Sequence, residues 1–316
     1  MNKKITVIGS LNYDVILKIP RLPFKGETLT ANGAAFSAGG KGANQAVQAA
    51  KLKTPTYMVG CVGTDASADF LVNTAKEYGV NVDYIRKVPG SSGMGVINAV
   101  EDGSVYACIV RGANFEVTKE DVDNAMPILK ESGVCILQNE IPVEIIAYAI
   151  DKAKEAGCIV VLNAAPAIEL PEECLSKVDI LVVNEVEAEF YCHEKIDSVE
   201  KAKTEIKKMA EKYNNNVIFT LGKDGAVAYE NGTIEFIPAM KVDAIETTGA
   251  GDSYIGSFLY QVAQTVNTLE ELVQLDEVKV TEIMTFSAAT AALTVSKKGA
   301  IAALPTKEAV IEMMNR

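Results

Sequence analysis

The chain has 316 residues, a formal net charge of −12, 48% hydrophobic residues and 23% charged residues, a balance typical of globular rather than disordered proteins. Its length suits one large domain or two modest ones. No cluster of Lys and Arg is long enough to bind a phosphate backbone, and no apolar run reaches the roughly 18–20 residues that span a bilayer. We expect neither nucleic acid nor a membrane as partner. Because the N-terminal apolar stretch is too short for a signal peptide, we expect a cytoplasmic protein.

Cysteine and histidine form no recognisable metal or catalytic motif in this sequence. Six cysteines, at positions 61, 108, 135, 158, 174 and 192, are scattered singly, most of them in apolar stretches. This pattern predicts reduced core thiols rather than disulfides or a zinc site. The single histidine, His193, follows Cys192, and we interpret it as a surface or loop residue.

Short β-rich runs alternate with segments of helical period along the chain. The predicted strands, mostly near-continuous apolar runs, are 4–8, 56–62, 134–138, 158–163, 180–184 and 217–221. The predicted helices are 67–78, 118–130, 142–156, 198–213, 253–265 and 281–296. Thr118 and Asp121 have the spacing of a capping box. The alternation predicts an α/β fold with a mostly parallel central sheet and helices on both faces.

Two stretches, 13–36 and 94–111, interrupt this alternation and look like antiparallel strands joined by turns. Asp102-Gly103 in the second stretch is a hairpin signal. We expect the two stretches to form a small sheet that projects from the main one as a lid. Because no long linker, low-complexity tract or internal repeat is visible, the sequence predicts a single domain over residues 1–316.

The strongest chemical motif is Glu-Thr-Thr-Gly-Ala-Gly-Asp-Ser at 246–253, which is followed by apolar positions of helical period. Gly249 and Gly251 let backbone N–H groups approach a ligand closely, and a helix N-terminus adds partial positive charge that stabilises phosphate. Asp252 on the same turn can accept the proton of a hydroxyl that attacks phosphorus. Spacing alone leaves an alternative open, in which Asp252 merely caps the helix over a tight turn.

An earlier glycine-rich motif, Gly-Gly-Lys-Gly-Ala-Asn-Gln-Ala, occupies positions 39–46. Gly39 and Gly40 allow a close approach, while Lys41 and Asn44 offer hydrogen-bond donors to hydroxyl groups. Such donors suit a ligand with several hydroxyl groups, because each hydroxyl left unpaired costs affinity. The alternative is a glycine-rich helix start with alanine packing behind it.

Other polar residues stand at the ends of predicted strands. Asn12 and Asp14 are two apart on an extended segment, so both side chains face one side. Glu140 lies just past the strand 134–138, at the sheet edge where α/β proteins bind ligands. Asn184 ends a strand, and Glu187 follows three residues later on the same face of a helix start. The alternative for this last pair is a solvated helix start.

The two glycine motifs, at 39–46 and 249–252, make the chain resemble the ribokinase branch of the phosphofructokinase B sugar-kinase family. The resemblance covers essentially the whole chain, in order. It implies a three-layer α/β sandwich with a small β-sheet lid. It also implies an ATP-dependent kinase that phosphorylates the primary O5 hydroxyl of D-ribose, giving ribose 5-phosphate. Because exposed lid strands need covering, we expect a homodimer that pairs lid to lid.

The resemblance also implies a role for each matching residue. The base is Asp252, and the anion hole is formed by the backbone of Gly249, Ala250 and Gly251. The implied sugar ligands are Asn12, Asp14, Gly40, Lys41, Gly42, Asn44, Glu140 and Asp252. The implied nucleotide ligands are Asn184, Thr220, Gly222, Gly225 and Gly251, the loop at 220–225 being by itself only a strand-to-turn signal. Glu187 is implied to place Mg²⁺ through water, and a monovalent cation, expected to be K⁺, to lie among oxygens of Glu246, Thr248, Thr294, Lys297, Gly299 and Ala303.

Three positions depart from the family pattern. Glu246 stands where the family usually has Asp, and its extra methylene either disturbs the cation site or simply offers another oxygen donor. Ala288 replaces an Asn found near the adenine in many relatives, which bears on base selectivity. The tetrapeptide at 163–166 reads Asn-Ala-Ala-Pro instead of Asn-Pro-Ala-Pro, with a small expected effect.

Other functions remain open on the sequence. A kinase for deoxyribose, another pentose or a nucleoside would use the same motifs. A catalytically silent sugar- or nucleotide-binding regulator would share the fold, although the intact Asp252 and its glycine turn argue against it. A DNA-binding regulator is disfavoured by the acidic charge. An oxidoreductase is disfavoured because the turn at 8–12 lacks Gly-x-Gly-x-x-Gly.

Overall fold

The computed structural model describes residues 4–102 and 104–315, and in these ranges the strands form one sheet of nine strands and one of four. Gly103 of the predicted hairpin turn lies outside the described residues. The strands are β1 (Lys4–Ile8), β2 (Asn12–Ile19), β3 (Gly33–Gly39), β4 (Thr56–Val62), β5 (Val80–Lys87), β6 (Gly93–Val100), β7 (Val105–Val110), β8 (Ser132–Gln138), β9 (Ile159–Asn163), β10 (Ile180–Asn184), β11 (Asn216–Thr220), β12 (Ala226–Glu230) and β13 (Thr233–Ile237).

The helices alternate with these strands. The α-helices are α1 (Lys41–Lys51), α2 (Ala68–Glu77), α3 (Lys119–Asn124), α4 (Met126–Leu129), α5 (Val143–Glu155), α6 (Glu172–Lys177), α7 (Glu185–Cys192), α8 (Val199–Tyr213), α9 (Ala250–Thr265), α10 (Leu269–Leu272), α11 (Glu277–Val295) and α12 (Lys307–Met314). Short 3₁₀ helices cover Gly112–Glu116, Gly222–Asp224 and Ile301–Ala303.

The large sheet has the strand order β13-β12-β11-β10-β9-β8-β1-β4-β5. From β11 to β5 neighbouring strands are parallel, and β12 and β13 add an antiparallel edge. The chain leaves β1 for β4 on one side and continues later from β8 on the other, so the order reverses between β1 and β8. Open α/β sheets bind ligands at the carboxyl ends of the strands, at such a switch point.

Helices cover both faces of the large sheet and produce three layers. One core contains buried residues of α5 and α8, such as Ile146 and Ile206. The other contains buried residues of α1, α9 and α11, such as Val47, Leu259 and Met284. Strands buried between two helix layers explain the continuous apolar runs of the sequence, and the predicted α/β class is confirmed.

The predicted helices 118–130 and 281–296 have different boundaries in the structure. The segment 118–130 is divided into α3 and α4, because Pro127, in the first turn of α4, has no N–H with which to continue the α3 ladder. The predicted capping box is present, with the backbone N–H of Thr118 donating to the Asp121 carboxylate at 2.8 Å. The helix predicted from 281 begins at Glu277, since the Asp276 side chain accepts a hydrogen bond from the N–H of Lys279.

The small sheet has the order β3-β2-β6-β7 and agrees with the two stretches that interrupt the alternation. The pairs β2–β3 and β6–β7 are antiparallel as predicted, but the central pair β2–β6 is parallel. The reason lies in the connectivity. β2 follows β1 and β6 follows β5, and since β1 and β5 point the same way in the large sheet, β2 and β6 both start from the edge formed by the carboxyl ends of its strands. Strand β7 is exposed along its whole length, and Cys108 on it is an exposed thiol rather than a core thiol.

Among the described residues, α11 is the one helix long and apolar enough to cross a membrane by length and composition. More than half of its apolar window is buried inside the protein, where it packs against α9 and β13. Core burial accounts for its composition, since a helix that packs on several sides needs apolar side chains on most of its surface.

Candidate active site

The ends of β1 and β8, between which the strand order reverses, are joined by hydrogen bonds. Glu140, just past β8, accepts hydrogen bonds from the Ser10 hydroxyl and from the backbone N–H of Lys41, the latter at 3.2 Å. The Ser10 oxygen in turn accepts from the N–H of Gly42 at 3.3 Å. The Glu140 carboxylate is therefore fixed at the switch point, against the N-terminus of α1.

Asn12 and Asp14 lie on β2, and glycines on the two neighbouring strands make room for their side chains. A Cβ atom at Gly39 or Gly95 would overlap the Asp14 carboxyl group, and one at Gly93 would overlap the Asn12 amide. The extended segment predicted around both residues is confirmed. The two polar side chains fit here because the neighbouring positions are glycines, which have no side chain.

Asn114, in the 3₁₀ helix after β7, is a site residue that the sequence analysis missed. Its Oδ1 accepts from the backbone N–H of Leu11 at 2.9 Å, and its Nδ2 donates to Oδ1 of Asn12 at 2.7 Å. Asn114 and Asn12 are 1% and 2% exposed. Because the Asn12 oxygen already has a donor, Asn12 can offer its Nδ2 to a ligand. An isolated Asn in a loop carries no sequence signal for this role.

The glycines of the motif at 39–46 allow α1 to start directly against the β1–β2 connection. Gly40 is the N-cap residue with φ of 90°, and a Cβ there would lie 2.8 Å from the backbone nitrogen of Asn12. A Cβ at Gly42 would lie 2.7 Å from the nitrogen of Ser10. Close packing therefore requires glycine at both positions, and Lys41 between them begins the helix.

The second glycine motif begins α9. Gly249, with φ of 81°, is the N-cap residue, and the N–H of Ser253 donates to its carbonyl at 2.8 Å. The helix therefore starts at Ala250, three residues before the predicted start at Ser253. The first turn of a helix leaves N–H groups without acceptors in the helix. A Cβ at Gly251 would meet no heavy atom within 4 Å, so this turn faces open space.

Asp252 lies within the first turn of α9 and is not its cap, so the alternative interpretation of Asp252 as the N-cap is wrong. Its Oδ2 accepts from Nδ2 of Asn44 at 2.8 Å, and its Oδ1 accepts from Nε2 of Gln45 at 2.9 Å. Gln45, which the sequence analysis did not single out, is fully buried. The N-termini of α1 and α9 thus meet at this carboxylate, although Asn44 and Gln45 precede Asp252 by 208 and 207 residues along the sequence.

Three carboxylates and one lysine dominate the electrostatics of the site. Burial, together with the charges of Glu140 and Asp252, raises the pKa of the Asp14 carboxyl to about 7, against a lowering by the N–H of Gly95. Burial lowers the pKa of Lys41, but the surrounding carboxylates outweigh burial, and the net pKa is raised. The site holds a persistent ammonium among acids.

A second group of predicted residues lies at the ends of β10 and β11. Asn184 and Thr220 are paired in register as the last residues of these parallel strands. Asn184 and Glu187 form a capping box, in which the N–H of Asn184 donates to the Glu187 carboxylate at 2.8 Å. The pair begins a helix, as the alternative interpretation had it, but Glu187 is 6% exposed and therefore not solvated. Burial raises the pKa of Glu187, partly offset by this N–H and by Lys41.

The loop after β11 depends on two glycines in left-handed conformations. Gly222 has φ of 48° and Gly225 has φ of 116°, and a Cβ at Gly225 would overlap the carbonyl of Ile237. The intervening 3₁₀ turn is exposed, and the Thr220 hydroxyl donates weakly to the carbonyl of Val183 at 3.5 Å. The loop is a glycine-shaped backbone surface with few side-chain contacts.

The residues predicted around a monovalent cation come from two adjoining loops. The Glu246 carboxylate accepts the N–H of Gly299 at 3.0 Å, and the N–H of Glu246 donates to the carbonyl of Val295 at 3.1 Å. The carbonyl of Thr294 accepts the N–H of Lys297 at 3.2 Å. The structure thus brings Glu246 to the end of α11, which contains Thr294, and to the following loop, which contains Lys297 and Gly299. Thr248 lies on the loop before α9, and Ala303 ends a 3₁₀ helix.

The sequence pattern of a family of carbohydrate kinases matches nearly the whole chain. The model of the pfkB family carbohydrate kinases aligns with residues 2–307. The chain belongs to this family. As a pfkB carbohydrate kinase it transfers a phosphoryl group to an alcohol acceptor, and the resemblance inferred from its two glycine motifs is confirmed.

Several characterised proteins of this family are similar to the chain. A deoxyribokinase of Salmonella typhi is 37% identical over 263 residues, which are 83% of this chain and 86% of that protein. A ribokinase of Staphylococcus aureus is 34% identical and aligns over 98% of this chain and 99% of its own length. The solved structure of Arabidopsis thaliana ribokinase complexed with ribose and ATP superimposes with a TM-score of 0.87, 30% identity and full coverage of both chains.

Proposed function

We propose that the protein is an ATP-dependent ribose kinase, which transfers the γ-phosphoryl group of ATP to the O5 hydroxyl of D-ribose. The observation that carries this proposal is the Asp252 carboxylate, held by two amides on a glycine turn that faces open space at Gly251. Asp252 takes the O5 proton as O5 bonds to phosphorus, and ADP leaves with the electrons of the broken P–O bond. Ribokinases that align along nearly the whole chain support ribose as the acceptor.

The sugar is held at the switch point. Asn12 offers its Nδ2, Asp14 and Glu140 offer acceptors, and Gly40 and Gly42 bring backbone close to the hydroxyls. Asn44 donates to Asp252 with its Nδ2, and its buried Oδ1 has no partner and can accept a sugar hydroxyl. Lys41 lies near acids of both halves of the site, where its charge favours a transferring phosphoryl group.

The nucleotide lies across the ends of β10 and β11. Asn184 and Thr220 contact its phosphates, Gly222 and Gly225 shape the loop against its ribose, and the N–H groups of Gly249, Ala250 and Gly251 form the anion hole at the γ-phosphate. A backbone surface of this kind recognises phosphate by geometry and requires no particular side chain.

Mg²⁺ fits the acidic start of α7. No group of three or more His, Cys, Asp or Glu side chains in residues 4–102 and 104–315 is arranged to hold a metal ion by itself. Glu187 is nonetheless a buried carboxylate whose raised pKa reflects poor solvation of its charge, which a nearby cation relieves. Mg²⁺ takes few protein ligands and keeps waters, so Glu187 would hold it through water, where it neutralises phosphate charge.

A monovalent cation such as K⁺ would lie among oxygens of the loops that Glu246 joins. The Glu246–Gly299 hydrogen bond brings a carboxylate to a segment rich in backbone carbonyls, a donor set that suits a hard, weakly charged cation. Thr248, Thr294, Lys297 and Ala303 would contribute these carbonyl oxygens. The Glu246 carboxylate reaches the N–H of Gly299 at 3.0 Å.

The small sheet would act as the lid of a single domain spanning residues 1–316. Its central strand β2 carries Asn12 and Asp14, so its movement reaches the sugar directly, and closure would exclude water from the reaction. Strand β7 exposes Val105, Tyr106 and Ile109, and a second copy of the chain would cover this apolar edge in a homodimer. Buried free thiols suit a reducing cytoplasm, where ATP is available.

Deoxyribose is the second candidate acceptor, favoured by the 37% identity to a deoxyribokinase. Ribose and deoxyribose differ by one hydroxyl, so the same base and anion hole would serve both sugars. A silent binding regulator would not need Asp252 to be held by two buried amides, and the enzymatic proposal explains this arrangement.

ADP release from Mg·ATP tests the proposal, with ribose, deoxyribose, other pentoses, fructose and nucleosides as acceptors, each with and without K⁺. We expect the highest kcat/KM on ribose and a fall in kcat of roughly 1,000-fold for Asp252→Asn. A higher kcat/KM on another acceptor would reassign the substrate and leave the mechanism. Sugar binding without turnover on any acceptor would support the silent regulator.

A further inference from the structure

A chain of buried amide side chains lies beneath the Asp252 carboxylate. Gln45 and Gln138 are fully buried, and Asn163 is 5% exposed. Gln45 lies on α1, Gln138 on β8 and Asn163 on β9. Gln138 and Asn163 follow Gln45 by 93 and 118 residues along the sequence. Burying an amide costs free energy unless its polar atoms are paired, so three amides in one core need a reason.

The direction of the hydrogen bonds along this chain is determined at one end by the backbone. The carbonyl of Val182 can only accept, and Nδ2 of Asn163 donates to it at 3.2 Å. Asn163 therefore presents Oδ1 to Gln45, whose Nε2 donates to it at 3.1 Å. The same Nε2 donates to Oδ1 of Asp252 at 2.9 Å, so both hydrogens of the Gln45 amide are used.

The other end of the Gln45 amide is held as well. Nε2 of Gln138 donates to Oε1 of Gln45 at 2.8 Å. If the Gln45 amide were flipped, its oxygen would face both the Asp252 carboxylate and the Oδ1 of Asn163, which can only accept. Gly9 provides the space for this contact, because a Cβ there would overlap the Gln138 amide. The Gln45 amide thus has one permitted orientation.

We propose that Gln45 is a positioning residue that fixes the rotation of the Asp252 carboxyl group, with Gln138 and Asn163 fixing Gln45. Held through Oδ1, the carboxylate keeps Oδ2 beside Asn44, where a sugar hydroxyl would bind. This inference rests on the proposed kinase function with Asp252 as base. The buried amides would affect the rate of proton transfer and not ligand affinity, because none of them lies where a sugar or nucleotide would bind.

Gln48 provides a matched control on the same helix. It is as fully buried as Gln45, and its Nε2 donates to the carbonyl of Pro305 at 3.2 Å, away from Asp252. Replacement by Met keeps the chain length and removes the amide in either case. We expect Gln45→Met to lower kcat roughly 100-fold with little change in the KM for ribose and ATP. Gln48→Met should lose comparable thermal stability and keep its kcat.

Three further variants test the order in which the buried amides act on Asp252. Gln45→Glu places a carboxylate against Asp252 and should lower kcat at least as much as Gln45→Met. Asn163→Leu and Gln138→Met act through Gln45 and should lower kcat less, by about 10-fold each. These two variants carry the test if the Gln45 variants fail to fold.

Wild-type turnover separates failure of this inference from failure of the kinase proposal. If the wild type phosphorylates sugar and Gln45→Met keeps the wild-type kcat, the inference is overturned. Equal losses of kcat in Gln45→Met and Gln48→Met would also overturn it, because they would indicate general packing damage. If the wild type phosphorylates no acceptor, the kinase proposal fails, and the inference falls with it.

Discussion

The two halves of the site are built in different ways. In the half at the β1–β8 switch point, polar side chains such as Asn12 and Asn44 are buried and bonded to other side chains. In the half at the ends of β10 and β11, Gly222 and its neighbours are exposed, and their shape comes from backbone conformation. A buried hydrogen-bonded surface discriminates between hydroxyl patterns, whereas a glycine-shaped loop accepts any group with phosphates. Substitutions should therefore separate sugar effects from nucleotide effects.

Asp252→Asn should have the largest effect, because it removes the base at the boundary between the halves and keeps its shape. General base catalysis contributes about 10²–10⁴-fold, so we expect kcat to fall by roughly 1,000-fold. Binding of ribose and of ATP, measured by calorimetry, should remain. A variant that loses ribose binding completely would indicate that Asp252 acts mainly in sugar affinity.

Asn12→Leu should come next and affect the sugar half alone. It removes a donor to the sugar and leaves the Nδ2 of Asn114 without its acceptor, so kcat/KM for ribose should fall roughly 100-fold. The KM for ATP, measured at saturating ribose, is the internal control and should stay within about threefold of wild type. An equal rise in both KM values would contradict the separation of the two halves.

Asp14 should make the sugar half depend on pH near neutrality. Its pKa is about 7 in the folded protein, against an ordinary value of 3.8. An ionised carboxylate is the stronger acceptor for hydroxyls, so the KM for ribose should fall several-fold as the pH rises from 6 to 8. The KM for ATP should change less over the same range. A ribose KM independent of pH would contradict this prediction.

The same shift predicts that Asp14 costs stability when ionised. A folded-state pKa above the unfolded value contributes stability that is complete below pH 3.8 and lost as the pH rises through about 7. Asp14→Asn should therefore be more stable than the wild type at pH 8, by about 1–2 kcal/mol after solvent screening. Melting at pH 8 and at pH 5 measures this, and a gain that does not shrink at pH 5 would contradict it.

Thr220→Val should have a small effect in the nucleotide half. Its hydroxyl is one of several proposed contacts with the phosphates and makes only a weak hydrogen bond to the Val183 carbonyl within the protein. Losing it should raise the KM for ATP by about 3- to 10-fold. The KM for ribose should not change. A loss of ATP affinity beyond about 100-fold would show that side chains, and not the backbone, dominate this half.

Glu246 should give the smallest effect and tests the cation proposal. Glu246→Gln keeps an oxygen for the Gly299 N–H and removes the charge, so kcat at saturating K⁺ should stay near wild type while half-activation needs more K⁺. Glu246→Ala removes the hydrogen bond and should lower kcat several-fold. Wild-type activity independent of K⁺ would refute the cation proposal.

Local patterns in the sequence predicted most elements and the main motifs. Strands such as Ile180–Asn184 are continuous apolar runs, which arise whenever both sheet faces are covered. The glycine turn before α9 was visible because few sequences combine two glycines, an Asp and a helical period. Buried amides such as Gln45, and loop residues such as Asn114, gave no such signal, because their partners lie about 100 or more residues away.

The sequence by itself determined the α/β class, the family and the identity of the residues that could do chemistry, because propensities, periodicity and motifs are local. Tertiary structure alone decided which of them meet. It placed Asn44 and Gln45 of α1 on Asp252 of α9, joined Ser10 to Glu140 across the switch point, and showed that Asp252 is not a helix cap. Such contacts depend on how strands are ordered and how helices pack, which no short stretch of sequence encodes.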